Sequence, residues 1–147
     1  MRGDRGSVLI LVPAAVLVLL ILGAIAVDSA VVLLAQRELA NTTAGVANDI
    51  AGAGVSDDAF YADGAVRLDQ RAADSRVTAA FGIDRMPAGF EAWDGTARVD
   101  AGSGAQVTVE AWAQVSYVFA GALPGVRSTT VVRATSVASA RQRADAP

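Results

Sequence analysis

Acid–base, nucleophilic and metal chemistry rest on a short list of side chains, and this chain of 147 residues contains neither histidine nor cysteine. Their absence removes histidine triads, thiol nucleophiles and the usual zinc sites. It also removes any disulfide. Three carboxylates, Asp57, Asp58 and Asp63, lie close together in sequence, but without the regular alternation of a calcium loop. The first two follow Ser56, where a helix N-terminus explains them. Asp94-Gly95 and Gly102-Ser103-Gly104 read as turns, with no lysine nearby to make a phosphate-binding loop. No spacing singles out a carboxylate pair for hydrolysis. Trp93 and Trp112 read as partly buried sheet residues, and the Asn41-Thr42-Thr43 sequon falls inside a helical pattern. The expectation is a protein without catalytic residues, cofactor or metal.

The elements carry more information than the chemistry does. Residues 8–27 form an uncharged apolar run of 20 residues, about 30 Å of helix, which is the thickness of a bilayer's hydrocarbon core. Pro13 sits near its start, a position membrane helices tolerate. Arg2 and Arg5 precede the run and Asp28 ends it, so the positive-inside rule places residues 1–7 in the cytoplasm and residues 28 onward outside. Asp28 is read as the marker of the outer water interface, with pairing to an arginine of a neighbouring subunit as the sharper idea. A cleaved signal peptide ending at Ala24-Ile25-Ala26 is the competing reading. The run exceeds the usual length of about 7–15 residues for such a segment, and retention as an anchor is expected. Ala15, Gly23, Ala24 and Ala26 are small enough to admit a second membrane helix, although no Gly-x-x-x-Gly pair occurs.

Apolar or small residues continue past Asp28 at Val31, Leu34, Leu39, Thr42, Val46, Ile50 and Ala53, which extends the helix as an amphipathic segment over residues 28–54. Glycines at 52 and 54 end it. Residues 55–140 read as a small extracytoplasmic domain. Within it, a short helix opens near Ser56 and is interrupted at Asp63-Gly64. A second helix covers residues 69–81, with Ala72, Ala73, Val77, Ala80 and Phe81 inward. Residues 90–101 make strands joined by an Asp94-Gly95 hairpin. From Val107 a strict alternation points Val107, Val109, Ala111, Ala113, Val115, Tyr117 and Phe119 to one side. Residues 121–125 turn the chain, a last strand fills 128–140, and 141–147 is a polar tail. The predicted fold is α+β and pilin-like: a long N-terminal helix, a second helix, and an antiparallel sheet of three or four strands covered by the upper half of the long helix. Beyond residue 27 there are 14 acidic side chains against 10 basic ones, which argues against nucleic acid as a partner.

Several stretches together resemble the TadE/TadG-like proteins of the tight-adherence (Flp) pilus-assembly system. They are Arg5-Gly6 before the run, Ala26-Val27-Asp28 at its end, residues 35–41 (AQRELAN), the small-residue stretch 44–54, and Tyr61-Ala62-Asp63-Gly64 followed by Val66-Arg67-Leu68-Asp69. The resemblance covers residues 4 to about 70 and implies a membrane protein of the bacterial envelope that works with other Tad/Flp membrane or pilin proteins. Members matured by prepilin peptidase carry a glutamate five residues after the cleaved glycine. Counting from Gly6, that position is Leu11, and the chain has no acid between Ser7 and Val27. The resemblance therefore implies an uncleaved, TadG-type anchor. Two functions follow as expectations: a structural or assembly component of a Tad/Flp-type system, or an anchored extracytoplasmic binding or signalling module unrelated to pili.

Overall fold

The computed structural model describes residues 5–53, 68–100, 105–122 and 124–140. Arg2, the expected short helix near Ser56, the Asp63-Gly64 and Gly102-Ser103-Gly104 turns, and the tail 141–147 lie outside these residues. The architecture is α+β, as expected. Helix α1 runs unbroken from Arg5 to Ala53, 49 residues, passing through Pro13. Helix α2 is Gln70–Ala80. Strands β1 (Phe90–Asp100), β2 (Gln106–Ser116) and β3 (Thr129–Ser139) form one antiparallel meander in the order β1-β2-β3.

Two lengths match. Each strand has 11 residues, about 36 Å when extended, and α1 from Asp28 to its end spans nearly the same distance. The upper part of α1 therefore lies along the whole sheet, over β2 and β3, while α2 covers β1. Between the layers sits one core, in which Leu39 and Ile50 of α1 meet the inward row Val107, Val109, Ala111, Ala113 and Val115 of β2. Thr43 is also fully buried, and its hydroxyl donates to the Leu39 carbonyl at 2.6 Å, so its polar atom stays paired inside its own helix.

Helix α2 starts where the sequence places it. The Asp69 carboxylate accepts the Arg71 N–H at 3.0 Å as an N-cap, and Ala73 and Val77 form the buried side. At the far end of α1, a guanidinium N–H of Arg76 donates to the Ala53 carbonyl at 3.1 Å, and Arg76 Nε lies 3.7 Å from Asp49. A cation there complements the C-terminal end of the helix dipole and ties α2 to α1. The Gln70 side chain behaves as a peptide group on the open edge of β1: its Nε2 donates to the Ala97 carbonyl at 2.9 Å, and its Oε1 accepts the Val99 N–H at 2.8 Å. This occupies backbone groups that another strand would otherwise pair with.

Three expectations are corrected. Asp94-Gly95 is not a hairpin: β1 runs straight through it, with Asp94 opposite Trp112 and Gly95 opposite Ala111. The glycine serves packing instead, because a Cβ there would lie 2.6 Å from a Phe81 ring carbon. Phe81 packs edge-on to Trp93 with centroids 5.0 Å apart, and the Trp93 indole N–H donates to the Gly82 carbonyl at 3.3 Å. Second, Leu34 is not on the covered stripe of α1; it is 64% exposed. The buried face runs through Asp28, Ala35, Leu39, Thr43, Val46 and Ile50, with Val31 half-buried beside it. Third, β2 ends at Ser116, so Tyr117 and Phe119 belong to a loop and Phe119 is exposed.

Candidate functional site

Among the described residues, nothing forms a covering layer over residues 11–27 of α1. Residues 11–27 are exposed apart from a half-buried Ala24, and this stretch includes Ala15, Gly23 and Ala26. The most apolar window of the helix has a mean hydropathy of 2.8 and is only 6% buried inside the structure. The core helix of a soluble domain would be mostly covered, so this stretch is compatible with a single-pass membrane anchor.

Asp28 stands where bare helix becomes covered helix. The sequence marks it as the first charge after the apolar run, yet its side chain does not project into water: the residue is 8% exposed. Oδ1 accepts the backbone N–H groups of Val118 at 2.7 Å and Phe119 at 3.0 Å, and Oδ2 accepts that of Ala120 at 2.8 Å. Three successive amides converge on one carboxylate where the chain enters a short 3₁₀ turn, Ala120–Ala122, and form a small concavity of N–H groups. The neck of the loop is closed by the Tyr117 N–H donating to the Ser128 carbonyl at 2.8 Å. These bonds hold the Asp28 carboxyl below the ordinary aspartate range; the Phe119 amide is the largest cause, burial opposes it, and the Ala120 and Val118 amides add to it. The carboxylate is thus spent inside the chain, on a loop some ninety residues away. With three acceptor positions filled and the residue 8% exposed, little of the carboxylate is left for a neighbour's arginine.

Close to this latch, Val118 is 58% exposed, Phe119 47% and Val126 49%. An open groove of about 420 Å³ lies on another flank of α1, between Val31, Leu34 and Glu38 on the helix and Pro87, Ala88 and Phe90 ahead of β1. The outer face of the sheet sets Asp94, Trp112 and Arg133 in one cross-strand row, with Trp112 40% exposed. Among the described residues no group of three or more carboxylates is arranged to hold a metal ion.

The sequence singles out Asp28 but not its partners, since backbone amides leave no mark in composition. No protein-family model, curated protein or solved structure matches the chain. Its class rests on the architecture alone: a three-stranded α+β domain built directly onto the upper half of a long apolar helix.

Proposed function

We propose that this chain is a non-enzymatic, single-pass anchored component of the bacterial cell envelope that serves in the assembly or structure of a Tad/Flp-type pilus or secretion system. The observation that carries the reading is the division of α1 into a bare apolar half and a half that forms one wall of the domain core, without a break between them. A helix used in this way both anchors and carries, which suits a pseudopilin-like or TadG-like part. Arg2 and Arg5 orient it with the N-terminus in the cytoplasm and the sheet outside. The resemblance over residues 4 to about 70 supplies the pilus context and the class of partner, other Tad/Flp membrane or pilin proteins.

The exposed row Asp94–Trp112–Arg133 favours a second reading, an anchored binding module that works through its sheet face. Aromatic and arginine side chains together are typical anchors of protein interfaces. Cross-linking the full chain in native membranes and identifying its neighbours separates the two. Recovery of pilin or of the Tad inner-membrane platform supports assembly. Recovery of an unrelated partner through Trp112, from a gene neighbourhood without Tad ATPase or platform genes, overturns it.

A further inference from the structure

The β2–β3 loop is acid-free, apolar and pinned at the foot of the domain. We infer that it is a second membrane contact, in which Val118, Phe119 and Val126 enter the interfacial layer of the outer leaflet beside α1 and Arg127 meets lipid phosphate. The inference rests on the reading of α1 as a membrane span and adds a lipid-binding surface to it.

Height is the first support. Asp28 directly follows the apolar run, and its carboxylate lies within 3.0 Å of the amides of Val118, Phe119 and Ala120. When residues 8–27 fill the hydrocarbon core, these amides stand at the level of the headgroups, a layer about 5–7 Å deep on each side. Side chains on that backbone need reach only a few ångströms to touch acyl chains.

Composition is the second. Loops exposed to water are ordinarily polar, yet this one presents Val118, Phe119 and Val126, each about half exposed. Arg127, also exposed, is the sole formally charged side chain between Ser116 and Thr129. A large apolar ring with a neighbouring arginine, and no carboxylate within the loop itself, is the makeup of an interfacial anchor on a surface carrying phosphate. The adjacent Glu91 carboxylate is engaged by the Ser116 hydroxyl and the Gln114 amide.

The third is the treatment of the carboxylate that the loop itself touches. An unpaired carboxylate at this depth would be costly to remove from water and would repel anionic lipid. Asp28 is instead enclosed by three amide donors, so the loop closes over it like a lid on its charge. The same bonds that hold the loop down also let it sit at the interface.

Absence of cysteine from the sequence makes the test clean. The full chain is reconstituted into vesicles of phosphatidylcholine and phosphatidylglycerol with a single labelled cysteine in place of Val126, Leu19 or Ser139. The lipids carry a spin-label quencher either near the headgroup end of the acyl chain or deep within it. The Leu19 probe should be quenched by the deep label, the Val126 probe by the shallow label, and the Ser139 probe, at the far end of β3, by neither. Phe119→Ser, and separately Asp28→Ala, should lower quenching of the Val126 probe toward that of Ser139 and leave Leu19 unchanged. A quenched Leu19 probe with a Val126 probe that behaves like Ser139 overturns the loop contact alone. An unquenched Leu19 probe overturns the membrane span itself. Full quenching of Val126 in the Phe119→Ser chain overturns the role given to the ring. Shielding of Val126 from aqueous iodide without quenching by lipid would mean that protein covers the loop, and would also overturn the inference.

Discussion

Replacing Gly95 by alanine adds one methyl group to a strand and should nonetheless weaken the domain. The new Cβ would sit 2.6 and 2.7 Å from two carbons of the Phe81 ring and 3.2 Å from a third. Carbon atoms prefer about 3.5–4.0 Å, so the ring must retreat by about 1 Å. It has little room. Phe81 is buried, its N–H is bonded to the Val77 carbonyl at the end of α2, and its ring rests on Trp93. Overpacking of this kind costs about 1–3 kcal/mol. Relief of glycine's backbone entropy in a strand returns about 0.5–1 kcal/mol, which at the middle of both ranges leaves a net loss of about 1 kcal/mol. Urea unfolding of the full chain in detergent micelles, followed by tryptophan emission, reads the difference directly. Phe81→Leu should relieve the clash, so the double variant should be more stable than the sum of the single effects by about 1 kcal/mol. Gly95→Asn discriminates further: a turn glycine with positive φ tolerates asparagine, whereas a glycine beneath an aromatic ring accepts it worse than alanine. A neutral or stabilising Gly95→Ala, or strictly additive single effects, would refute the packing account.

Two leucines five residues apart on α1 should respond differently: Leu39→Ala should cost about 2–5 kcal/mol, and Leu34→Ala should stay within about 0.5 kcal/mol, in the same unfolding assay. Because the Asp28 carboxyl is held below its ordinary range, its stabilising contribution is complete above about pH 4 and is lost as the pH falls through the folded-state value. Hydrogen exchange at the Val118, Phe119 and Ala120 amides should therefore quicken in acid relative to neighbouring amides, and the Asp28→Asn chain should show fast exchange there already at neutral pH. Gln70→Ala removes two hydrogen bonds to the edge of β1. It should cost about 1–2 kcal/mol and promote association through that edge, seen as a shift to larger species in size-exclusion chromatography.

Local signals served well where they agreed with the tertiary arrangement. Asp69 as a cap and the spacing of Ala73 and Val77 place α2 to within a residue, and the alternation from Val107 to Val115 gives the inward face of β2. They failed where packing overrode them. Asp-Gly is a strong turn signal, but here strand pairing and the Phe81 ring keep the dipeptide extended. Leu34 shares an apolar stripe with Leu39 in the sequence pattern, yet five residues on a helix turn about 140°, which carries it off the face that Ala35 and Leu39 share. The partners of Asp28 are not legible, since any carboxylate suits any exposed amide and only the fold brings residues 118–120 to it.

The unbroken α1 also fixes a compass bearing. At about 100° per residue, Ala15, Gly23 and Ala26 fall within one arc of the bare helix, roughly opposite the side on which Asp28, Ala35 and Leu39 receive the sheet. Copies that paired their spans through those small residues would stand back to back, their sheets turned outward and each Trp112 row on the periphery of the bundle. Shifting the contact by a single residue would swing every sheet by about 100°, so the choice of seam inside the bilayer would decide what the outside of the assembly displays.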